Sequence, residues 1–97
     1  MEYIESKRNE HLEELKEFLR IPSVSTKSEH KPDIERAARW VADKLRAAGM
    51  QTVEILPTGG HPMVFGEWLK APGKPTVLFY GHYDVQPAEP LNLWTSP

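Results

Sequence analysis

Cysteine is absent from this chain of 97 residues, so disulfides and thiolate metal sites are excluded. Any metal must therefore be held by nitrogen and oxygen ligands. No apolar run is long enough to span a bilayer, so no membrane partner is expected. The charged stretch from Met1 to Glu17 also lacks the apolar centre of a signal peptide, and a cytoplasmic location is the default expectation. Charge of one sign is not blocked together. The 12 basic and 14 acidic residues are mixed, with a net charge of −2, so no nucleic-acid partner is expected. Internal repeats and low-complexity tracts are missing too. What is present, 39% apolar and 27% charged residues, suits one small globular unit. Most of the nine prolines fall between periodic segments, where they mark loops.

Ile4, His11, Leu12, Leu15, Phe18 and Leu19 recur roughly on one helical face, which predicts an amphipathic helix from Glu2 to Leu19 or Arg20. Pro22 ends it, because proline disfavours the helical conformation in the residue before it. The segment from Ile21 to Thr26 reads as an extended connector, and Lys27 to Lys31 as a polar loop. A second helix opens at Pro32-Asp33, with Asp33 as N-cap or Pro32 holding the first turn. Its buried stripe is Ile34, Ala37, Ala38, Val41, Leu45 and Ala48, and Gly49 stands where a left-handed cap belongs.

Three strands are expected next. Thr52 to Leu56 alternates, and Met63 to Leu69 is rich in large apolar residues. Thr76 to Tyr80 is nearly all apolar, as in a strand covered on both faces. The first two are positioned to form a hairpin, and the third is the candidate central strand. Helix, helix and three strands of a mixed sheet predict an α/β layer fold.

The chemistry concentrates where the third run stops, at Gly81-His82-Tyr83-Asp84. If the chain stays extended there, His82 and Asp84 point the same way. Neutral imidazole is a good zinc ligand. A carboxylate on its other nitrogen fixes the tautomer. Asp84 is placed to be that partner or to orient a water. The competing reading is an ordinary loop with a surface histidine. One histidine does not make a zinc site, which takes three protein ligands or more.

His11, His30 and His61 are the remaining candidate ligands. His11 reads as a helix boundary residue, His30 as solvated, and His61 as a turn residue that could approach the site from a neighbouring loop. Ser23, Ser25 and Thr26 lack the G-x-S-x-G setting of a serine nucleophile and read as local hydrogen-bonding groups. Gly59-Gly60 lacks the lysine and following helix of a phosphate loop. Trp40, Trp68 and Trp94 read as packing residues.

The stretch from Tyr80 to Pro87, followed by Leu93-Trp94-Thr95-Ser96-Pro97, closely resembles the first metal-ligand segment of the dinuclear zinc aminopeptidase-like hydrolases. That family includes glutamate carboxypeptidases, dipeptidases, acetylornithine deacetylases and aminoacylases. Tyr83 and Gln86 resemble the dipeptidase branch, with its carnosine-type members. Phe18 to Ser25 and the helix end Leu45 to Met50 are similar to the family's entry region as well. The resemblance implies an α/β/α catalytic domain with two zinc ions, cobalt or manganese being substitutes. It implies His82 as a metal ligand and Asp84 as the catalytic carboxylate that supports it. It also implies that the bridging aspartate, the general-base glutamate and the other ligands lie beyond Pro97, with a second domain used in dimerisation.

The expectation is therefore an incomplete N-terminal portion of a metallopeptidase catalytic domain, residues 1–97. Its parent, expected to be a homodimer, hydrolyses dipeptides or N-acyl amino acids, and the chain alone is inactive. Two alternatives stand beside this. One is a deacylase of N-acyl amino acids rather than a dipeptidase. The other is a stand-alone, non-catalytic α/β interaction module, whose exposed third strand predicts self-association.

Overall fold

The computed structural model describes residues 1–96; Pro97, the last residue of the Leu93-to-Pro97 motif, lies outside the described residues. The expected first helix is interrupted. It forms as α1, Glu2–Ser6, and α2, Arg8–Leu19, with Lys7 between them at φ −104° and ψ 6°. The Ser6 hydroxyl donates to the Tyr3 carbonyl at 2.8 Å, an acceptor that the Lys7 N–H also uses. Such local side-chain bonding competes with the helical ladder. The helix stops before Ile21-Pro22, as expected. Its apolar face is not buried: Leu12, Leu15 and Leu19 are all exposed. Contact with the next helix runs through Phe18, stacked on Trp40 at 4.9 Å between ring centroids, and a Trp40 indole N–H to Glu17 bond of 2.9 Å.

The second long helix, α3, spans Lys31–Ala47 with Pro32 in its first turn. Asp33 does not cap it through its side chain; its carboxylate instead pairs with His30 at 2.8 Å and Arg36 at 3.1 Å. Ile34, Ala37, Ala38 and Ala42 are buried, with Val41 and Leu45 half-buried. Ala42 therefore joins the expected stripe, and Ala48, just past the helix end, leaves it for solvent. Gly49 takes φ +96°. Its N–H bonds the Arg46 carbonyl at 3.0 Å, and Met50 N–H reaches Leu45 at 3.2 Å. That pair of bonds is a Schellman motif, which satisfies the last helical carbonyls.

The sheet is an antiparallel hairpin of β1, Thr52–Leu56, and β2, Met63–Glu67, in the register Val53↔Gly66 and Ile55↔Val64. Both strands pack on α3. A Cβ on Gly66 would lie 3.1 Å from Leu45 Cδ1, so glycine lets the strand approach the helix closely. The connecting turn is pinned by Thr58, whose hydroxyl donates to the His61 carbonyl at 2.6 Å and accepts from Gly60 N–H at 3.2 Å.

The expected third strand does not form among the described residues. Thr76 to Tyr80 has no ladder partner, and Leu78, Phe79 and Tyr80 are 90%, 89% and 93% exposed. A strand exists only when another strand supplies its hydrogen bonds. Of the three-strand expectation, the structure keeps the hairpin. The extended segment helps to raise the Cα radius of gyration to 16.3 Å, above the ~13 Å of a compact domain of this size. No described helix is long and apolar enough to cross a membrane.

Candidate functional site

Beyond the exposed run the chain returns to the body of the protein and docks on the connector after α2. Val24 and Val85 form an isolated parallel bridge. Ser23 grips both sides of Asp84: its carbonyl accepts from Val85 N–H at 2.9 Å, and its hydroxyl donates to the Tyr83 carbonyl at 2.9 Å. Ile21, Ser23 and Val24 are buried, so this edge is the firmest part of the connector. Lys27 pairs with Glu89 further along.

His82 and Asp84 are brought together as their spacing suggested. The His82 Nδ1 to Asp84 Oδ1 distance is 2.8 Å. The other carboxylate oxygen accepts from the Ser25 hydroxyl at 2.6 Å. These bonds, the Ser25 hydroxyl first and His82 second, hold the Asp84 carboxyl below the usual aspartate range. An ionised carboxylate only accepts, so His82 carries its proton on Nδ1. The Nε2 lone pair is then left for a metal. The His82 side chain is 75% exposed, which leaves that nitrogen accessible.

A second loop reaches the same place. Tyr83 donates its hydroxyl to the Pro62 carbonyl at 2.5 Å, and His61 bonds the Ser25 carbonyl through Nε2 at 2.8 Å. A carbonyl cannot donate, so this His61 nitrogen carries a proton. Burial, followed by the nearby Asp84 charge, pushes the Tyr83 phenol above its ordinary value near 10. A raised folded-state value means that the Tyr83–Pro62 docking is intact below pH ~10 and is lost as pH rises through the higher folded value. Difference absorbance between wild type and Tyr83→Phe should therefore show this phenolate appearing only above pH ~10.

The other candidates separate from the site. His11 is exposed on α2 beside the Tyr3 ring, at 6.3 Å between centroids. His30 is half-buried and paired with Asp33, not free in solvent as expected. Trp40 packs, whereas Trp68 and Trp94 are exposed; the Trp94 indole N–H donates to the Ala88 carbonyl at 2.8 Å. Sequence reasoning placed Ser23 and Ser25 in local bonds, yet they bond across 60 and 59 residues to Tyr83 and Asp84. Their spacing of two matches that of His82 and Asp84, but nothing in the sequence says that the two segments lie side by side. The expected position of His82 at the end of a sheet strand is also corrected, since among the described residues the preceding run has no strand neighbours.

No family model matches the chain. Its homologues are dipeptidases, among them Cys-Gly metallodipeptidases, and its structure matches the N-terminal part of the α/β peptidase fold of Dug1p. It is 33% identical over 103 residues to the Cys-Gly metallodipeptidase DUG1 of Candida albicans, covering 94% of this chain and 21% of that protein. To the Beta-Ala-His dipeptidase of Mus musculus it is 34% identical over 104 residues, covering 95% of this chain and 21% of the relative. The solved structure of the dipeptidase Dug1p from Saccharomyces cerevisiae superposes with a TM-score of 0.85 at 26% identity. That alignment covers 96% of this chain and 22% of the solved one. The chain thus spans about a fifth of the length of the curated relatives it matches.

Proposed function

We propose that residues 1–97 are the N-terminal portion of the catalytic domain of a metal-dependent dipeptidase, with His82 a metal ligand and Asp84 its orienting carboxylate. The observation that carries this reading is the 2.8 Å bond between His82 Nδ1 and Asp84 Oδ1, in a segment homologous to dipeptidases that include a Cys-Gly metallodipeptidase. The donor set fits a metal in part. The imidazole offers one nitrogen, but among the described residues no three acidic or histidine side chains gather to hold an ion. On this reading the other ligands and the general base lie outside residues 1–97. Two zinc ions, when bound, would polarise the scissile carbonyl and acidify the attacking water. Asp84 keeps the imidazole in one tautomer, Ser23 holds the backbone on either side of Asp84, and the Tyr83–Pro62 bond anchors the loop.

The substrate class is a dipeptide with a free carboxylate, and the whole protein is a homodimer. The relatives' names support the first, since they are Cys-Gly and Beta-Ala-His dipeptidases. A protein carrying this segment within a complete catalytic domain should cleave dipeptides faster than N-acetyl or N-succinyl amino acids. Chelation should abolish that activity, and zinc should restore it. The isolated 97-residue chain should show none. Faster cleavage of N-acyl amino acids would make the protein a deacylase. Chelator-resistant cleavage would sink the metal reading.

A further inference from the structure

We infer that Ser25 is a positioning residue for the site: its hydroxyl locks the Asp84 carboxylate so that the opposite oxygen holds His82 in the Nδ1–H tautomer. The importance of that tautomer rests on the metal reading above, but the contacts stand by themselves. Asp84 is a two-ended acceptor, with Ser25 on Oδ2 at 2.6 Å and His82 on Oδ1 at 2.8 Å. The carboxylate is half-buried, and the exposed His82 ring is held by its bond to that carboxylate. A carboxylate held by one bond alone turns about its terminal torsion, which is broad and two-fold. The second bond removes that freedom. Ser25 is itself held from behind, because His61 Nε2 donates to its carbonyl at 2.8 Å. A chain of contacts therefore runs from the hairpin turn through Ser25 and Asp84 to the imidazole.

Ser23 provides the control. It also holds this loop, through the Tyr83 carbonyl and Val85 N–H, but its hydroxyl does not touch Asp84. A purely structural tether would make the two serines equivalent. The positioning role makes them different, because only Ser25 bonds the carboxylate.

The test is nitrogen-15 NMR of the imidazoles in the 97-residue chain, at a pH where His82 is neutral. Wild type should show His82 with the proton on Nδ1. Ser25→Ala should shift it to a mixture of tautomers, and Ser23→Ala should shift it less. Ser25→Thr and Ser25→Val form a second pair, nearly equal in shape and differing in the hydroxyl. Threonine should keep the wild-type signature and valine should lose it. In a protein carrying this segment within a complete catalytic domain, zinc binding followed at His82 should weaken about tenfold in Ser25→Ala and Ser25→Val, the lower end for losing an outer partner of a metal ligand. An unchanged tautomer in both Ala and Val variants overturns the inference. So does an equal shift in Ser23→Ala, or a threonine variant that behaves as valine does. If His82 of that larger wild-type protein does not respond to zinc, the metal reading fails, and the tautomer data alone decide the role of Ser25.

Discussion

In a protein carrying this segment within a complete catalytic domain, His82→Ala should lower kcat/KM for dipeptides by more than about a hundredfold. That exceeds the ~10–100-fold range for outer partners of a metal ligand, because on the proposed reading alanine deletes a ligand itself. The thermal midpoint should move little. The His82 side chain is exposed, and its hydrogen bond runs to Asp84, its near neighbour in the chain. Asp84→Asn should be milder, about 10–100-fold, since the imidazole remains while its orientation is lost. An asparagine has one acceptor oxygen where Asp84 uses two, on Ser25 and His82. Steady-state rates and metal analysis of the purified variants check this. Wild-type rates and full metal content in His82→Ala would remove His82 from the site.

The largest effect on stability is expected from Ile34→Ala. Ile34 is 1% exposed and is the largest fully buried side chain among the described residues. The other buried positions of α3 are alanines 37, 38 and 42, which allow the hairpin to come close but add little apolar area. Truncating Ile34 deletes buried methyl groups and leaves a cavity, at a cost of about 2–5 kcal/mol. A small domain has roughly 5–15 kcal/mol in total, so much of the folded population is at stake. Urea denaturation should show a lower midpoint with an unchanged slope. Leu15→Ala, on the exposed face of α2, should change stability by only about 0.5 kcal/mol or less. Equal losses at both positions would mean that the core does not lie between α3 and the hairpin.

The elements that were legible beforehand are those whose signals are local. The alternation from Thr52 to Leu56, the helix stripe at Ile34, Ala37 and Ala38, and Gly49 as a left-handed cap each depend on neighbours within a few residues. His82 and Asp84 belong to the same group, because a separation of two suffices to place them together. The break at Lys7 was not legible, since Ser6 fits a helix as well as it competes with one. The run from Val77 to Tyr80 was misread for a different reason. Its composition describes a strand with neighbours, and composition does not supply them.

By itself, then, the sequence determined the helical character of residues 8–19 and 31–47, a hairpin, a His-x-Asp pair brought side by side, and the likeness to dipeptidases. Only the tertiary structure decided that Ser23 and Ser25 clasp the Asp84 loop, that His61 braces Ser25, and that the apolar run before Gly81 has no strand partner among the described residues. The physical reason is the range of the interactions. Helix faces, caps and two-residue spacings follow from local backbone geometry. Which distant segments come to share a hydrogen bond depends on how the whole chain packs.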